Sequence, residues 1–371
     1  MIFSSLSFIL FFLIFILSIS FFKKFQSILI IFFSLFFYGY WDPKFLILIF
    51  YLLFFSYILI KYEISIKYSV LIILLPLFYF KYSFFFSELA NINNLKTYSY
   101  TGDLPLAISF ISFTCLAAII DVKNNNFNKH EINLNNFSQF ILYFPQLIAG
   151  PILRLKDLIF VFKNKIVFEK NNIKFGIFLF TIGFIKKIYF ADTIGAYIDP
   201  IFENINSVPP EELFKAFILF PIQIYFDFSG YVDMALGISN ILSIQLPINF
   251  NKPYLTSSLT EFWRNWHITL SNWFRDYIYI KLGGSMKGNL IRNLNLVITM
   301  TIAGLWHGAS LNFILWGFLN GVILSIEKHF KFIKNYKFFK IIVNCFIVFN
   351  LWIIFRIPEI NSIFLFYKIF Y

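Results

Sequence analysis

The sequence predicts an all-α, polytopic integral membrane protein, and three observations carry that prediction. The 371 residues are 59% hydrophobic and only 13% charged, with a mean hydropathy of +0.74. A soluble domain of that length needs far more charge to cover its surface. Several stretches then run the length of a bilayer crossing without a charge, beginning with Met1–Phe22. A spanning helix takes about 20 mostly apolar residues, because lipid offers no partner to an unpaired backbone group. Finally, the formal charge of 31 − 19 = +12 comes from cations that flank the apolar runs. The positive-inside rule puts them there, so the basic balance reads as topology and not as a nucleic-acid surface.

Hydropathy windows give about eleven membrane segments in chain order. The first five are Met1–Phe22, Phe25–Tyr40, Phe45–Ile60, Tyr68–Phe86 and Leu104–Val122. The next six are Phe137–Ala149, Lys174–Ile198, Leu213–Ile224, Leu294–Leu305, Leu311–Ile326 and Lys340–Phe355. Met1–Phe22 has no basic residue ahead of its apolar run and no small-residue cleavage site, so it reads as a retained span and not a signal peptide. Phe137–Ala149 is short for a crossing and runs into Gly150-Pro151, which fits a re-entrant or tilted element. The stretch from Pro247 to Arg292 is amphipathic, with Trp263, Trp266 and Trp273 among Arg264, Arg275, Asp276 and Lys281. Such a segment lies along the headgroup boundary or packs into a protein-lined funnel, and it is placed on the cytoplasmic side.

Orientation follows from the loops. Lys23 and Lys24 close the first span, which turns the N-terminus outward; Lys61 and Lys67 fall inside, and the loop Ser87–Asp103 falls outside. Lys123, Lys129 and the cluster Arg154, Lys156, Lys163, Lys165, Lys170 and Lys174 return to the cytoplasm. The expected location is a cell (inner) membrane. One domain is expected over residues 1–371, with peripheral spans in 1–103, a motif-bearing core in 104–327 and a C-terminal span in 328–371. No repeat of 20 to 50 residues is visible, so an inverted-repeat transporter has no direct support. Cys115 and Cys345 sit in apolar surroundings and suggest neither a disulfide framework nor a metal site. The abundance of Phe, Ile, Asn and Lys reads as biased codon usage.

Only four histidines occur, so each can be weighed. His130, in the Asn-rich stretch Asn124–Asn136, and His329, at a span end beside Glu327 and Lys328, read as solvated or interfacial. His307 differs, because it stands at the end of an apolar run in Ala303-Gly304-Leu305-Trp306-His307-Gly308-Ala309. An ionisable group at membrane depth is costly and is a functional candidate by default, although a hydrogen-bonded structural histidine fits the same context. His267, in Glu261-Phe262-Trp263-Arg264-Asn265-Trp266-His267, would share a helical face with Trp263 and Trp266; it reads as a site residue or as an interfacial anchor. Asp227 and Asp233 bracket a break in an apolar segment and read as helix caps, partners for a buried Arg, or site residues. No HExxH, GxSxG or P-loop string appears, and no metal site is expected.

Taken together, the strings between Leu104 and Glu327 resemble the membrane-bound O-acyltransferase family, and within it the branch of alginate and peptidoglycan O-acetylases. They begin with Tyr143-Phe144-Pro145-Gln146 through Arg154, Phe184-Ile185-Lys186-Lys187 with Ala191-Asp192, and Phe226-Asp227-Phe228-Ser229-Gly230-Tyr231. Asn249-Phe250-Asn251-Lys252-Pro253-Tyr254, Thr260 through His267, Trp273-Phe274-Arg275-Asp276-Tyr277 and Leu282-Gly283-Gly284 follow. Gly304 through Ala309 and Leu315-Trp316-Gly317 complete the set. The resemblance implies a ring of helices around a central funnel, and transfer of an acyl group from a cytosolic thioester such as acetyl-CoA to an acceptor on the outer side. It implies His307 as the catalytic histidine and His267 as a second functional one. Trp263, Arg264, Trp266, Arg275, Asp227, Trp306 and Asn320 are then candidates for binding substrate or donor, with Lys281, Lys287 and Arg292 adding positive charge for donor phosphates. No bound cofactor is implied. The implied partners are an extracytoplasmic or membrane-anchored acetyltransferase and a cell-envelope polysaccharide. Leu282-Gly283-Gly284 and Ser229-Gly230-Tyr231-Val232-Asp233 favour acetyl over D-alanyl transfer to teichoic acid, the alternative within the same fold; a non-enzymatic transporter is the alternative outside it. Asn320 departs from the many members that carry histidine there, and the tail beyond Phe355 is short, which points to a missing terminal span.

Overall fold

A computed structural model describes residues 1–89, 104–148, 150–158, 166–327 and 336–367. The expected outer loop Ser87–Asp103 falls largely outside the described residues, as do Ala149, Lys163, Lys165 and His329. Among the described residues every regular element is a helix, and the chain divides into two compact units. The first comprises residues 1–184 and 231–247, the second residues 185–230 and 248–371.

The first unit is built on phenylalanine. Helices α1 (Leu6–Phe21) and α2 (Gln26–Gly39) are apolar nearly all round and bend by 103° at a turn that holds Lys23 and Lys24. Two adjacent ammonium groups cannot lie along an apolar helix face without reaching for water, so the chain turns where they stand. Helices α3 (Leu46–Lys61), α4 (Ile66–Leu77) and α5 (Ser83–Leu89) follow, with a π-helical turn at Phe78–Tyr82. Helix α6 (Ile108–Lys123) packs against α3 and α4 and is buried on every side except at Phe110 and Lys123. A helix apolar all round belongs in a core or in lipid, and α6 takes the core.

The segment expected to be re-entrant forms two short buried helices, α7 (Leu134–Leu142) and α8 (Phe144–Leu147). An Asn133–Asn136 capping box starts α7, and Pro145 helps to start α8. Phe144 then receives Phe11, Phe15 and Phe37 at ring-centroid distances of 5.4, 5.2 and 5.4 Å, the first two nearly edge-on. That arrangement sets the positive ring edge against the negative face. After α9 (Leu155–Leu158), α10 (Lys170–Ile185) crosses the end of the helix Pro210–Ile241 glycine to glycine. A Cβ at Gly176 would stand 2.6 Å from the Gly237 carbonyl oxygen, and the reverse holds equally.

The second unit starts with a π-helical turn at Lys186–Asp192 and contains α11 (Thr193–Glu203) and the first part of α12 (Pro210–Ile241). Two short helices follow, α13 (Leu259–Asn265) and α14 (Ile268–Phe274), the latter running into a π-helical turn at Arg275–Tyr279. Then come α15 (Gly288–His307), α16 (Leu311–Ile326), α17 (Lys337–Arg356) and α18 (Ile360–Phe366). Leu213, Phe217, Phe262, Trp266, Trp316 and Trp352 lie in one buried cluster of this unit. Its tightest contact is the α15–α16 hairpin. A Cβ at Gly317 would collide with the Met300 carbonyl, and one at Gly321 would come within 2.5 Å of Val297 Cα. Small residues let two backbones meet this closely, and in an apolar setting such contact supplies the packing energy.

By length and composition, four described helices can cross a membrane: Pro43–Lys61, Ile66–Ser87, Pro210–Ile241 and Lys337–Arg356. The bent pair Leu6–Phe21 and Lys23–Gly39 makes a fifth if it counts as one crossing. The eleven windows of the sequence therefore outnumber the helices long and apolar enough to span. Window averages do not register where a helix stops: α6 and α16 are each 16 residues long, and the Phe137–Ala149 window holds two shorter pieces. Gly317→Ala should lower the melting temperature in detergent, at a cost of about 1–3 kcal/mol for overpacking a close contact. Gly195→Ala, where the nearest neighbour to a new Cβ is Gln223 Nε2 at 3.5 Å, should leave it unchanged or raise it.

Candidate functional site

The two histidines singled out in the sequence occupy different settings in the second unit. Helix α13 ends at Asn265, so Trp266 and His267 lie in the turn before α14 and do not share a helical face with Trp263 as expected. His267 has φ +43°, a left-handed conformation that costs a residue with a Cβ and has to be held by its surroundings. Backbone pairing holds it from both sides: the Asn251 N–H donates to the Asn265 carbonyl and the Ile268 N–H to the Asn249 carbonyl, each at 3.0 Å. The turn sends both rings inward. Trp266 stacks on Phe262 at 5.6 Å and meets Trp352 at 4.9 Å. His267 is 2% exposed, edge-on to Phe228 at 4.7 Å, with Trp306 at 6.4 Å. Burial holds its pKa well below the ordinary 6.5, and the charge that His307 can carry pushes the same way. His267 is thus a neutral imidazole at physiological pH.

His307 is the last residue of α15 and is half-buried, among Trp306 at 5.0 Å, Trp316 at 5.2 Å and Phe355 at 5.1 Å, all close to edge-on. The ring forms part of the wall of a cavity of about 480 Å³. Arg292, Leu296, Met300, Ala303 and His307 line it from one face of α15 at the three- and four-residue spacing of a helix. Across from them stand Trp263 and Arg264 of α13, Leu270 and Phe274 of α14, Arg275 and Tyr279 of the π-helical turn, and Trp316 of α16. Arg264 and Arg275 are exposed, whereas Leu270, Phe274, Ala303 and Trp316 are buried. The cavity therefore has an apolar interior and a rim of guanidinium groups, tempered by the carboxylate of Glu327.

Three polar side chains that the sequence did not single out for this purpose brace the walls. Glu327, at the end of α16, accepts hydrogen bonds from the Leu259 N–H and the Thr260 hydroxyl, and from the Thr260 N–H at 3.1 Å. It so satisfies donors that a helix start leaves open, and it fixes α13 to α16. Asn312 donates to the Ile354 and Phe355 carbonyls at 3.3 and 3.1 Å, holding the turn that presents Phe355 to His307. Asn249 accepts from the Thr269 N–H at 3.0 Å and the Thr269 hydroxyl at 2.9 Å beside the His267 ring. Asn249 belongs to a quoted motif string, but neither Asn312 nor Glu327 carries a local signal, since each acts on a segment distant in sequence.

Of the residues expected at the site, Trp263, Arg264, Arg275 and His307 line the cavity. Asn320 stands behind it: its Oδ1 accepts from the Trp263 indole N–H at 3.1 Å, and its Nδ2 donates to the Trp316 carbonyl at 2.8 Å. Trp306 is buried in ring contact with both histidines, and Trp266 is part of the aromatic core. Asp227 pairs with Lys187 at 2.5 Å, and Lys187 also reaches Asp192 at 2.8 Å. Asp227 is thus an ion-pair partner, but of a lysine and not of the buried arginine expected. His130 lies in the first unit, beside Glu63 and Lys129 in a separate polar pocket.

Asn320→Leu should strand the half-buried Trp263 N–H and lower stability by about 1 kcal/mol or more. Trp263→Phe made in the same chain should recover part of that loss, a coupling that a double-mutant cycle of thermal unfolding measures. Because buried His267 stays neutral while an unfolded chain takes up a proton below pH 6.5, its contribution to stability is full above that value and is lost as pH falls through it. The melting temperature should therefore drop more steeply between about pH 7.5 and pH 5.5 in the native chain than in His267→Gln.

Residues 73–367 match the family described as MBOAT, membrane-bound O-acyltransferase. A Pseudomonas fluorescens protein named "Probable alginate O-acetylase AlgI" is 44% identical over 225 residues, which cover 61% of this chain and 45% of that protein. The "Peptidoglycan O-acetyltransferase" of Helicobacter pylori is 36% identical over 338 residues, 80% of this chain and 63% of the relative. The "Teichoic acid D-alanyltransferase" of Streptococcus thermophilus is 28% identical over 236 residues, 60% of this chain and 56% of its own length. The chain thus spans roughly half to three-fifths of the length of these relatives. With the family match extending over most of its length, this chain belongs to the membrane-bound O-acyltransferase family.

Proposed function

We propose that this chain is an O-acetyltransferase that takes an acetyl group from a cytosolic thioester, acetyl-CoA or a related donor, and delivers it across the membrane for O-acetylation of a cell-envelope polysaccharide. One observation carries the reading: an imidazole, His307, on the wall of a cavity of about 480 Å³ that is apolar inside and rimmed by arginines. The thioester carbonyl would lie beside His307. As an acceptor oxygen attacks that carbon, the C–O bond forms, the C–S bond breaks, and the hydroxyl proton passes to the imidazole. The proton then goes to the departing thiolate, so the histidine ends as it began. A thioester is already activated, so positioning and one general base suffice; such a base is worth about 10²–10⁴-fold. Arg264, Arg275 and Arg292 suit the phosphates of a donor such as acetyl-CoA, because a guanidinium fork matches phosphate oxygens.

The similarity to proteins named for alginate and peptidoglycan O-acetylation supports a polysaccharide acceptor, reached through an extracytoplasmic or membrane-anchored acetyltransferase partner. The N-terminus faces outward and the arginine rim faces the cytoplasm in this reading. The shorter apolar helices are embedded with the spanning ones, as in the funnel of about eleven helices that the family resemblance implies.

The test is consumption of labelled acetyl-CoA by the full chain in proteoliposomes, with its partner and a polysaccharide acceptor present. The native chain should transfer label, and His307→Ala should cut the rate by about 10²–10⁴-fold with the fold retained. Full transfer by His307→Ala overturns the role of that residue. Label taken up unchanged makes the chain a transporter, and turnover only with a D-alanyl carrier thioester assigns it to the D-alanylating branch.

A further inference from the structure

We propose that Asn249 is a positioning residue that fixes the tautomer of His267, keeping the proton on Nδ1 and the lone pair on Nε2. The proposal rests on His267 being a working residue of the acyl-transfer site.

The argument starts from a backbone amide. The Thr269 N–H donates to the Asn249 side chain at 3.0 Å, and a backbone N–H can only meet an acceptor, so the atom it meets is the amide oxygen and not the nitrogen. The Thr269 hydroxyl donates to the same oxygen at 2.9 Å. His267 Nδ1 lies 3.3 Å from that oxygen. Two acceptors do not form a hydrogen bond, so Nδ1 carries the hydrogen. In a neutral imidazole the other nitrogen is then the acceptor. Asn249 is 1% exposed, its backbone carbonyl receives the Ile268 N–H at 3.0 Å, and its side-chain oxygen holds both Thr269 donors, so rotating the amide away would break two hydrogen bonds.

The consequence is chemical. Held this way, His267 is not a cation for donor phosphates but a neutral ring whose basic nitrogen is Nε2. The elements packed on the ring bring Phe228 from α12, Trp306 and His307 from α15, and Asn249 and Thr269 from its own turn. Of these, His307 is the one ionisable group. A protonated His307 would disfavour charge on His267, which keeps the second imidazole neutral while the first accepts a proton.

The test uses the full chain, ¹⁵N-labelled at histidine, in lipid, with the His267→Gln spectrum subtracted to assign the ring. The native chain should show a protonated Nδ1 and a bare Nε2 from about pH 7.5 to pH 5.5. A bare Nδ1 in the native chain overturns the proposal without recourse to any variant. Asn249→Asp keeps an acceptor for both Thr269 donors but places a carboxylate on Nδ1–H. His267 should then take up its second proton inside that range, and the acid limb of acetyl transfer should move to higher pH. An unchanged spectrum in folded Asn249→Asp also overturns the lock. Full acetyl transfer by His267→Gln, with the tautomer as stated, instead overturns the working role of His267 and leaves the hydrogen-bond assignment standing.

Discussion

The close approach of α15 and α16 is the constraint on which the rest of the site depends. Hydrocarbon does not drive two apolar helices together the way water does, so their contact has to come from backbones that fit. Gly304, Gly317 and Gly321 provide that fit, with carbonyl oxygens and Cα atoms where side chains would otherwise stand. The register of this hairpin decides everything above it. It sets Trp316 against the ring of His307, carries Asn320 to the Trp263 indole, and brings Glu327 to the start of α13. A small shift between these helices would move His307, the cavity wall and the arginine-bearing helix together.

Around that hairpin, amides and one carboxylate work as braces. Asn249, Asn312 and Asn320 are each about 1% exposed, and each spends its hydrogen bonds on a backbone group, a ring nitrogen or both. In apolar surroundings a polar group that loses its partner costs about 1–3 kcal/mol, so each of these hydrogen bonds favours one geometry over its alternatives. The asparagine richness that reads as codon bias in the sequence is, at these positions, part of how the site is held. Charge follows a different rule. Arg264 and Arg275 stay at the exposed rim, where hydration is cheap, while both imidazoles sit among aromatic rings that contribute no charge of their own.

Much was legible in the chain itself, and for identifiable reasons. Apolar runs with basic flanks announce a membrane protein, because lipid solvation acts on each segment independently of the others. The strings around His267 and His307 stood out because ionisable groups are expensive in apolar stretches, so their presence in one is informative. What misled was also local. A hydropathy window averages across a helix break, which is why α7 and α8 looked like one element. Helical spacing placed Trp263, Trp266 and His267 on one face, whereas the chain leaves the helix at Asn265 and sends only Trp263 to the cavity.

The sequence by itself determined that this is a helical membrane protein with two histidines in unusual company, since composition and local pattern suffice for both. Only the tertiary structure decided that His307 borders a cavity while His267 is buried beside Asn249. It alone decided that Asn320 is a brace for Trp263, and that Glu327 reaches 68 residues back along the chain to cap α13. The physical reason is that burial, tautomer and cavity walls are properties of neighbours brought together by folding, and those neighbours lie far apart along the chain.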